Sequence, residues 1–409
     1  MGPGDQQAGE QQAGEFRRNW RVLAGAFIGI GSSLSLNSYI LSTFQPYFLQ
    51  TFGWTKPQWA ALAAVQLLVV IALPIVGRMS DLIGVWRTAA IGAVSFPLFL
   101  LAIALMDGNI THYLMIYIAQ TLLGATATST VFARVVAERF EANRGLALGL
   151  CSAGSPLVAF LGVPLISAFT RAHGFRAGYL SVALFCAVGS VLTLWLLWGV
   201  EGRRKPRKPG ERGWGDYRTV FAMPVFWFMM LAIFLVNLPF SLATAQLKLV
   251  VSEQGLPDAV AAIIVSGFAI ASVAGRWVFG FAIDRLPAHR VAATGFGLPV
   301  IGLLLLLSPL NTLPWVMVAM VLIGTAFGSE ADIIPFLVTQ RFGIARFGTV
   351  LGLMMAATGA ALGLGNVLLA VVLKATGSFD AYLLICAGAA LIGSLMFLAL
   401  GGRRFGAPG

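Results

Sequence analysis

The chain has 409 residues, of which 58% are hydrophobic and only 11% are charged, and its formal net charge is +11. Soluble proteins typically carry about 25% charged residues, so this composition excludes an ordinary globular domain and indicates a protein immersed in lipid. The excess positive charge is spread over short connections between apolar runs, which argues against nucleic acid as a partner.

The cysteines and histidines do not form a recognisable site. Each lies alone, the cysteines in apolar runs and the histidines in predicted loops (Cys151, Cys186, Cys386; His112, His173, His289). This spacing has no metal-ligand pattern and no pairing of thiols. We therefore expect no metal and no cofactor. No nucleophile–base pair is visible either, so we expect that the chain is not an enzyme.

The first 16 residues are a polar tract with a repeated Gln-Gln-Ala-Gly-Glu unit. Such a tract cannot bury apolar surface, so a disordered N-terminal tail is predicted over residues 1–16. The tract lacks the basic start and the small-residue cleavage site of a signal peptide, so we expect it to be retained.

Twelve apolar windows follow, and each is about the length that a membrane-spanning helix needs. Barrel strands would be half as long and would alternate in polarity, so helices are favoured. The windows cover approximately residues 20–42, 57–78, 88–107, 113–136, 145–168, 177–199, 221–247, 259–282, 290–309, 313–337, 348–373 and 381–400.

The Lys and Arg residues of the connections predict the orientation. With the N-terminus in the cytoplasm, 21 of the 27 fall on the cytoplasmic side, five fall on the opposite side, and Arg276 lies within a window. This bias predicts that both termini are cytoplasmic. The longest connection, residues 201–218, is basic and is predicted to be a cytoplasmic linker between two six-helix bundles, at 17–200 and 219–402, with a short tail at 403–409.

The two halves repeat with an offset of 202 or 203 residues. Asp81 and Asp284, which close the second and eighth windows, are 203 apart, and Arg139 and Arg341 are 202 apart. A parallel repeat predicts two pseudo-symmetric bundles related by an axis along the membrane normal, with a central cavity exposed to each side in turn.

Arg276 is the most informative residue because it interrupts an apolar run. It lies eight residues before Asp284, or about 12 Å up a helix, near the middle of a bilayer. A charge at this depth costs about 2.5–3.5 kcal/mol or more, so it should face a polar cavity and hold a partner. A planar guanidinium suits a carboxylate, which it can bind at two points. Arg276 is therefore the candidate anion-binding residue.

Two carboxylates are predicted at the same depth in the tenth window, Glu330 and Asp332. They are two residues apart and point to nearly opposite helix faces, so only one can readily meet Arg276. One interpretation is a structural ion pair. In the other, a substrate anion displaces the carboxylate, which then takes up a proton because its surroundings disfavour charge.

Several uncharged polar residues also fall within windows. The candidates for substrate binding are Asn37, Tyr117, Gln120 and Asn237. The alternative for each is a hydrogen bond between helices, since amides and hydroxyls in lipid seek partners.

The loop at residues 77–87, Gly-Arg-Met-Ser-Asp-Leu-Ile-Gly-Val-Trp-Arg, resembles the loop between helices 2 and 3 of Major Facilitator Superfamily transporters, and residues 280–290 resemble its second copy. The resemblance implies that fold and a cytoplasmic gate in which Asp81 pairs with a basic residue and releases it on opening. The alternative is a static helix cap. The gate candidates are Asp81, Arg78, Arg87, Arg139, Asp284 and Arg285.

A narrower resemblance is to monocarboxylate transporters and oxalate:formate antiporters. It rests on the Phe52-Gly53-Trp54-Thr55 turn, on residues 139–149, and on Arg276 followed by Gly280. It implies that Arg276 binds a substrate carboxylate. Two positions differ from those families. Ser272 stands where monocarboxylate transporters have an aspartate. The oxalate carrier pairs its arginine with a lysine inside helix 11, whereas Lys374 of this chain lies at the outer end of the corresponding window.

The sequence thus predicts an all-α membrane protein with twelve transmembrane helices. Its expected function is alternating-access transport of a small monocarboxylate, lactate-like, together with a proton. The alternatives are a drug or hydrophobic-compound exporter of the same fold and an organic-anion exchanger. We expect a monomer in the plasma (inner) membrane, with the lipid bilayer, the substrate and the proton as its partners.

Overall fold

The computed structural model describes residues 3–54, 62, 65, 68–200, 215–245, 258–309 and 312–402. Most of the predicted linker at 201–218 and all of the predicted tail at 403–409 lie outside these residues. Every regular element within the described part of the chain is helical, which confirms the predicted all-α class.

The first half of the chain forms eight of the described α-helices. They are α1 (Pro3–Gly31), α2 (Asn37–Phe52), α3 (Leu68–Ile83), α4 (Val85–Leu105), α5 (Ile110–Gly124), α6 (Ser129–Arg139), α7 (Arg144–Ser152) and α8 (Gly154–Leu197). Short 3₁₀ turns at Leu34–Leu36 and Ala125–Ala127 separate α1 from α2 and α5 from α6. Several predicted windows are therefore interrupted near their middle.

The second half follows the same plan. Its described helices are α9 (Gly215–Phe221), α10 (Pro224–Asn237), α11 (Phe240–Ala245), α12 (Asp258–Ile283), α13 (Ala288–Leu307), α14 (Leu313–Phe342), α15 (Phe347–Thr376) and α16 (Asp380–Ala399). Over the described residues, seven helical stretches are long and apolar enough to cross a membrane.

Helix α8 runs without a break in its assignment from residue 154, inside the predicted window 145–168, through most of the window 177–199. The chain nevertheless turns at Gly174, whose φ of +85° is non-helical. Glycine adopts this backbone conformation without the steric cost that a Cβ imposes. The kink separates the two spans that hydropathy predicts.

The N-terminal segment forms hydrogen bonds with the rest of the first unit at Glu15 and Asn19. Helix α1 begins at Pro3, within the stretch for which the sequence predicts disorder, since Gln, Ala and Glu are good helix formers. The Glu15 carboxylate accepts hydrogen bonds from the backbone of Glu141 (2.7 Å) and Asn143 (3.0 Å). Asn19 donates to the Arg139 carbonyl at 2.9 Å. This segment therefore holds the connection between α6 and α7.

The chain divides into two compact units. The first comprises Met1–Arg212 together with Phe342–Leu353, and the second comprises Gly213–Arg341 together with Met354–Gly409. The start of α15 belongs to the first unit because Gly348 and Gly352 lie against the backbone of α3 at Gly77 and Leu73. The bundle limits predicted from the sequence, 17–200 and 219–402, place Phe342–Leu353 in the second bundle.

An aromatic cluster fills one end of the first unit. Phe48 packs against Trp54, with ring centroids 5.2 Å apart, and against Tyr113 and Tyr179 at 5.3 and 5.7 Å. Gly53 (φ +67°) ends α2 in the left-handed conformation and turns Trp54 back into the cluster. The Trp54 indole donates to the Gly108 carbonyl at 2.9 Å. The Phe-Gly-Trp turn therefore positions Trp54 so that it packs within the aromatic cluster.

The sequence repeat has a counterpart in the hydrogen bonds of the two units. In the first unit, the Arg139 guanidinium donates to the carbonyl of Val200. In the second unit, Arg341, 202 residues later, donates to the carbonyl of Leu400 at 2.7 Å. Each arginine thus binds the carboxyl end of the last helix of its own unit, where the carbonyls lack helical partners.

Helices α12 and α14 of the second unit meet at backbone distance. A Cβ added to Gly275 would overlap the Thr325 carbonyl oxygen, and one added to Gly328 would overlap that of Ser272. Small residues allow such close approach between membrane helices. This crossing fixes the relative position of the residues that α12 and α14 carry.

We expect Gly328→Ala to lower the melting temperature of the purified protein by several degrees, because the added methyl group meets the Ser272 backbone, which cannot rotate away. Gly388→Ala is the matched control: a Cβ at Gly388 on α16 meets nothing within 4 Å, and alanine favours helix. The measurement is thermal unfolding of both variants in detergent. Equal melting temperatures for the two variants contradict the close crossing.

Candidate functional site

The second unit brings together two charged residues that the sequence places deep in the membrane. Arg276 lies on α12, next to Gly275, and Glu330 lies on α14, two residues after Gly328, so each is close to the glycine at which the two helices cross. Glu330 is close enough to Arg276 for a direct electrostatic interaction. Both side chains are half-buried, so the pair retains some accessibility. An accessible pair of opposite charges is more suitable for a site at which a bound anion replaces the carboxylate than a fully buried ion pair is.

Two further polar residues hold the Glu330 carboxylate. The Thr358 hydroxyl on α15 donates to Glu330 Oε1 at 2.9 Å. The Asn237 side chain at the end of α10 lies beside the same carboxylate, and its Nδ2 donates to the Ile233 carbonyl at 2.9 Å. Asn237 is fully buried. Helices α10, α12, α14 and α15 therefore each supply one residue to the site.

Thr358 was not among the predicted site residues. It lies in the Gly/Ala-rich run at residues 356–365, which on sequence alone indicates only close helix packing. A signal was present, since Thr358 is a hydroxyl near the middle of a predicted window. Its partner on α14 is 28 residues away, and the sequence gives no means of pairing the two.

Asp332 occupies a different environment from Glu330. It is fully buried, with no exposed surface. Two residues along a helix rotate the side chain by about 200°, so Asp332 faces away from the Glu330 side of α14. Glu330 accepts a hydrogen bond from Thr358 and interacts electrostatically with Arg276.

Ser272 lies one turn before Arg276 on α12. Its hydroxyl donates to the Ala269 carbonyl of its own helix at 2.9 Å, and the side chain is buried. The position at which monocarboxylate transporters carry an aspartate is therefore occupied by a neutral residue that is engaged within its helix. The acidic group near Arg276 comes from α14 instead.

The other predicted substrate-binding residues lie in the first unit. Asn37 begins α2, and Tyr117 and Gln120 lie on α5. All three are buried. Tyr117 packs beside Tyr113, with ring centroids 5.8 Å apart, as part of the aromatic cluster. Gln120 lies one turn before the break between α5 and α6.

Asp81 at the end of α3 is the centre of a buried polar network in the first unit. It forms an ion pair with Arg134 of α6, a residue absent from the predicted gate. It also accepts hydrogen bonds from the Gly348 backbone at 3.0 Å and from the backbone and hydroxyl of Thr349, each at 2.6 Å. The carboxylate thus sits on the first turn of α15, where free N–H groups favour an anion.

The remaining gate candidates have other surroundings. Arg78 is buried, Arg87 is exposed, and the Arg139 guanidinium binds the Val200 carbonyl. In the second unit Asp284 is half-buried, and the Arg285 guanidinium lies over the Phe281 ring, 3.4 Å from its centroid.

A separate apolar cavity of about 630 Å³ opens at the surface of the first unit, between α2 and the two halves of α8, where Leu161 and Leu165 of its lining are 65% and 71% exposed. Its polar lining is limited to Tyr39, Thr43 and Ser181. The cavity has the size of a site for a small organic molecule. Across the described residues, no group of three or more metal-ligating side chains is present.

Comparison with known proteins identifies the family. The sequence model described as Major Facilitator Superfamily matches residues 26–354 and also residues 240–407. The chain belongs to the Major Facilitator Superfamily. It is 24% identical over 386 residues to an MFS-type transporter of Gibberella moniliformis, covering 93% of this chain and 89% of that protein. The chain is therefore a multi-pass membrane transporter of a family whose members are not in general enzymes.

Solved structures of the superfamily share this fold at low sequence identity. A bacterial homologue of the iron transporter ferroportin in an outward-facing state has a TM-score of 0.73 at 14% identity, covering 94% of this chain and 99% of that one. The proton:xylose symporter XylE gives 0.68 at 14% identity, covering 92% and 93%. The human organic anion transporter MFSD10 gives 0.66 at 14% identity, covering 94% and 99%.

Proposed function

We propose that this superfamily member is a secondary active transporter for a small monocarboxylate, lactate-like, which it moves together with a proton. The observation that carries the proposal is the half-buried Arg276 next to Glu330, at positions that the sequence predicts to lie near the middle of the membrane. A guanidinium offers a carboxylate two parallel hydrogen bonds. The fold similarity to an organic anion transporter is in keeping with an anionic substrate.

In the proposed cycle, Glu330 neutralises Arg276 when the carrier is empty. The substrate carboxylate then competes for the guanidinium. Once Glu330 has lost its counter-charge, its low-dielectric surroundings disfavour a charged carboxylate, so it takes up a proton. Thr358 holds the carboxyl group in position throughout, because a hydroxyl can donate to the charged form and accept from the protonated one. Substrate and proton thus bind together.

The proposal includes the arrangement in the membrane that the sequence predicts. Both termini are cytoplasmic, the protein works as a monomer in the plasma (inner) membrane, and Asp81 contributes to a cytoplasmic gate. The distribution of 21 Lys and Arg residues on one side against five on the other supports the orientation.

A second candidate is an exporter of drugs or hydrophobic compounds. The observation that favours it is the apolar cavity of about 630 Å³ in the first unit. In that case Arg276 and Glu330 form a structural ion pair, and export of an uncharged compound does not depend on Arg276. This dependence distinguishes the two candidates.

The test is uptake of labelled lactate into proteoliposomes with and without an inward proton gradient. We expect the gradient to raise wild-type uptake above equilibrium. In Glu330→Gln, exchange of lactate across the membrane persists but the gradient no longer drives accumulation, because the variant cannot release and rebind a proton.

Asp332→Asn serves as the comparison for Glu330→Gln, since it neutralises the other carboxylate of the same helix. We expect Asp332→Asn to keep its response to the gradient. Loss of the response in Asp332→Asn alone would transfer the proton-binding role to Asp332. Wild-type lactate uptake that ignores the gradient would contradict symport.

A further inference from the structure

Helices α1, α4 and α8 of the first unit carry a cluster of arginine and tryptophan side chains. The Trp86 indole of α4 donates to the Leu194 carbonyl, in the last turn of α8, at 3.0 Å. The Arg21 guanidinium of α1 donates to the next carbonyl, that of Trp195, at 3.4 Å. The Trp86 and Trp198 rings pack edge to face, with centroids 4.9 Å apart. The predicted windows begin at residues 20 and 88 and end at residue 199, so the cluster lies at one predicted membrane boundary, on the side that we propose to be cytoplasmic.

Together with Arg87, the residue after Trp86, these side chains form a surface patch. We call it the arginine–tryptophan patch (Arg21, Trp86, Arg87, Trp195, Trp198). Trp195 and Trp198 are 62% and 66% exposed, and both arginines are exposed as well. Indole rings, which have apolar faces and a polar N–H, suit the boundary between acyl chains and lipid headgroups, where tryptophan is enriched. The exposed tryptophans therefore indicate contact with lipid.

The helices that carry the patch supply positive charge to it and no negative charge. Residues 16–31, 85–105 and 154–197 contain no Asp or Glu. The Arg21 guanidinium has five N–H donors, and the Trp195 carbonyl takes one of them. The central carbon of this guanidinium also lies 5.9 Å from the centroid of the Trp195 ring. The patch therefore presents an exposed cation beside an exposed aromatic ring, and no carboxylate of these three helical stretches neutralises it.

The sequence repeat indicates that the fold does not require the patch. The residues 203 positions after Trp86 and Trp198 are His289 and Gly401, and these two also lie side by side, since a Cβ on Gly401 would be 2.4 Å from the His289 ring. The second unit therefore has the same helix contact without a tryptophan pair. At the other three repeated positions stand a proline, an arginine and a leucine (Pro224, Arg290, Leu398). The three tryptophans and one of the two arginines thus occur in the first unit alone, which favours a role in binding over one in folding.

An anionic phospholipid has the two features that the patch can bind. Its phosphate group accepts charge-assisted hydrogen bonds from guanidinium groups. Its acyl chains pack against the apolar faces of exposed indoles. We propose that the arginine–tryptophan patch is a specific binding site for one anionic phospholipid of the cytoplasmic leaflet. A zwitterionic lipid offers the same phosphate, but its own ammonium group weakens the attraction to the arginines.

The test is native mass spectrometry of the purified full-length protein with added phosphatidylglycerol or phosphatidylcholine. We expect the wild type to bind one phosphatidylglycerol more tightly than it binds phosphatidylcholine. Arg21→Gln lowers the affinity for phosphatidylglycerol about 5-fold, and Arg21→Gln combined with Arg87→Gln lowers it about 25-fold, since each cation near an anionic lipid contributes about that factor of five. Equal affinity of the wild type for the two lipids overturns the proposal.

The choice of substitution separates charge from folding. Glutamine can still donate to the Trp195 carbonyl, so Arg21→Gln removes the charge and keeps a donor for the end of α8. Arg21→Lys keeps the charge, and we expect its affinity for phosphatidylglycerol to stay within about twofold of the wild type. Loss of affinity in Arg21→Lys as large as in Arg21→Gln shows that the guanidinium acts only on α8 and overturns the proposal.

Arg290→Gln is the matched control. Arg290 repeats Arg87 after 203 residues and is likewise exposed, near the start of α13, but no tryptophan occupies the repeated positions around it. We expect this variant to bind phosphatidylglycerol as the wild type does. A loss of affinity equal to that of Arg21→Gln shows a general effect of surface charge and overturns the assignment to the patch.

A phosphatidylglycerol with a photoreactive group next to its headgroup locates the site. We expect adducts within residues 17–21, 85–87 and 194–198 of the wild type, and their loss in the double variant. Adducts confined to other residues overturn the proposal. Excess glycerol 3-phosphate, which lacks acyl chains, should leave the adducts unchanged; competition by it shows that the patch binds a soluble phosphate instead. Lipid binding is measured without a transported compound, so failure of lactate uptake leaves this result unaffected.

Discussion

Arg276→Lys lowers uptake of a labelled monocarboxylate into proteoliposomes by about 10- to 100-fold. Lysine keeps the positive charge but presents a point charge on a flexible stem, so it cannot form the two parallel hydrogen bonds that a guanidinium gives to a carboxylate. Loss of one charge-assisted hydrogen bond is worth about 1.5–3 kcal/mol, and each 1.4 kcal/mol is a factor of ten. The measurement is initial uptake rate against substrate concentration.

Arg290→Lys is the control for this substitution. Arg290 is also in the second unit, at the start of α13, but its side chain is exposed, and the same change of residue type there should leave uptake as in the wild type. Equal uptake by Arg276→Lys and the wild type rules out two-point binding of the substrate. It leaves the structural ion pair as the explanation of Arg276.

Asp81→Asn weakens the packing of residues 342–353 on α3. Asp81 and Arg134 are both almost fully buried, and removing the charge of one leaves the other uncompensated, which costs about 3–5 kcal/mol. We expect Ser80, which is buried at this contact, to become accessible and transport to fall. The measurement is maleimide labelling of Ser80→Cys, with the three buried native cysteines replaced by alanine (Cys151, Cys186, Cys386).

Glu138→Gln provides a matched control, because Glu138 accepts a hydrogen bond from the same Arg134 side chain at 2.8 Å. Its side chain is 28% exposed, and partly exposed ion pairs contribute at most about 1 kcal/mol. We expect labelling several-fold faster in Asp81→Asn and unchanged in Glu138→Gln. Identical labelling in both variants shows that Asp81 is a static helix cap.

The helical class and the spans follow from composition and window length, since only apolar helices of about 20 residues satisfy their backbone in lipid. The interruptions at residues 32–36 and 125–128 do not follow. Hydropathy averages side chains over a window, whereas these breaks depend on backbone conformation, such as the extended Ser33. The break before Asn37 therefore falls inside the window 20–42, for which hydropathy predicts one continuous helix.

For the site, the depth of Arg276 and Glu330 follows from counting residues to the helix ends, and the structure places the two in electrostatic contact. Their additional partners do not follow from the sequence. Arg134 is 53 residues from Asp81, and Thr358 is on a different helix from Glu330. Such pairings are set by how helices pack, which no local pattern records.

The close crossing of α12 and α14 has a consequence for the transport cycle. With the backbones touching at Gly275 and Gly328, neither helix can slide along the other without breaking contacts over several turns. In the proposed transport cycle, α12 and α14 would therefore move together as one rigid pair of helices. The distance between Arg276 and Glu330 would then be the same in the inward-facing and outward-facing states. Under the proposed function, a change in the affinity of Arg276 for the substrate would then come from substrate occupancy and from protonation of Glu330, because the distance between the two residues would not change.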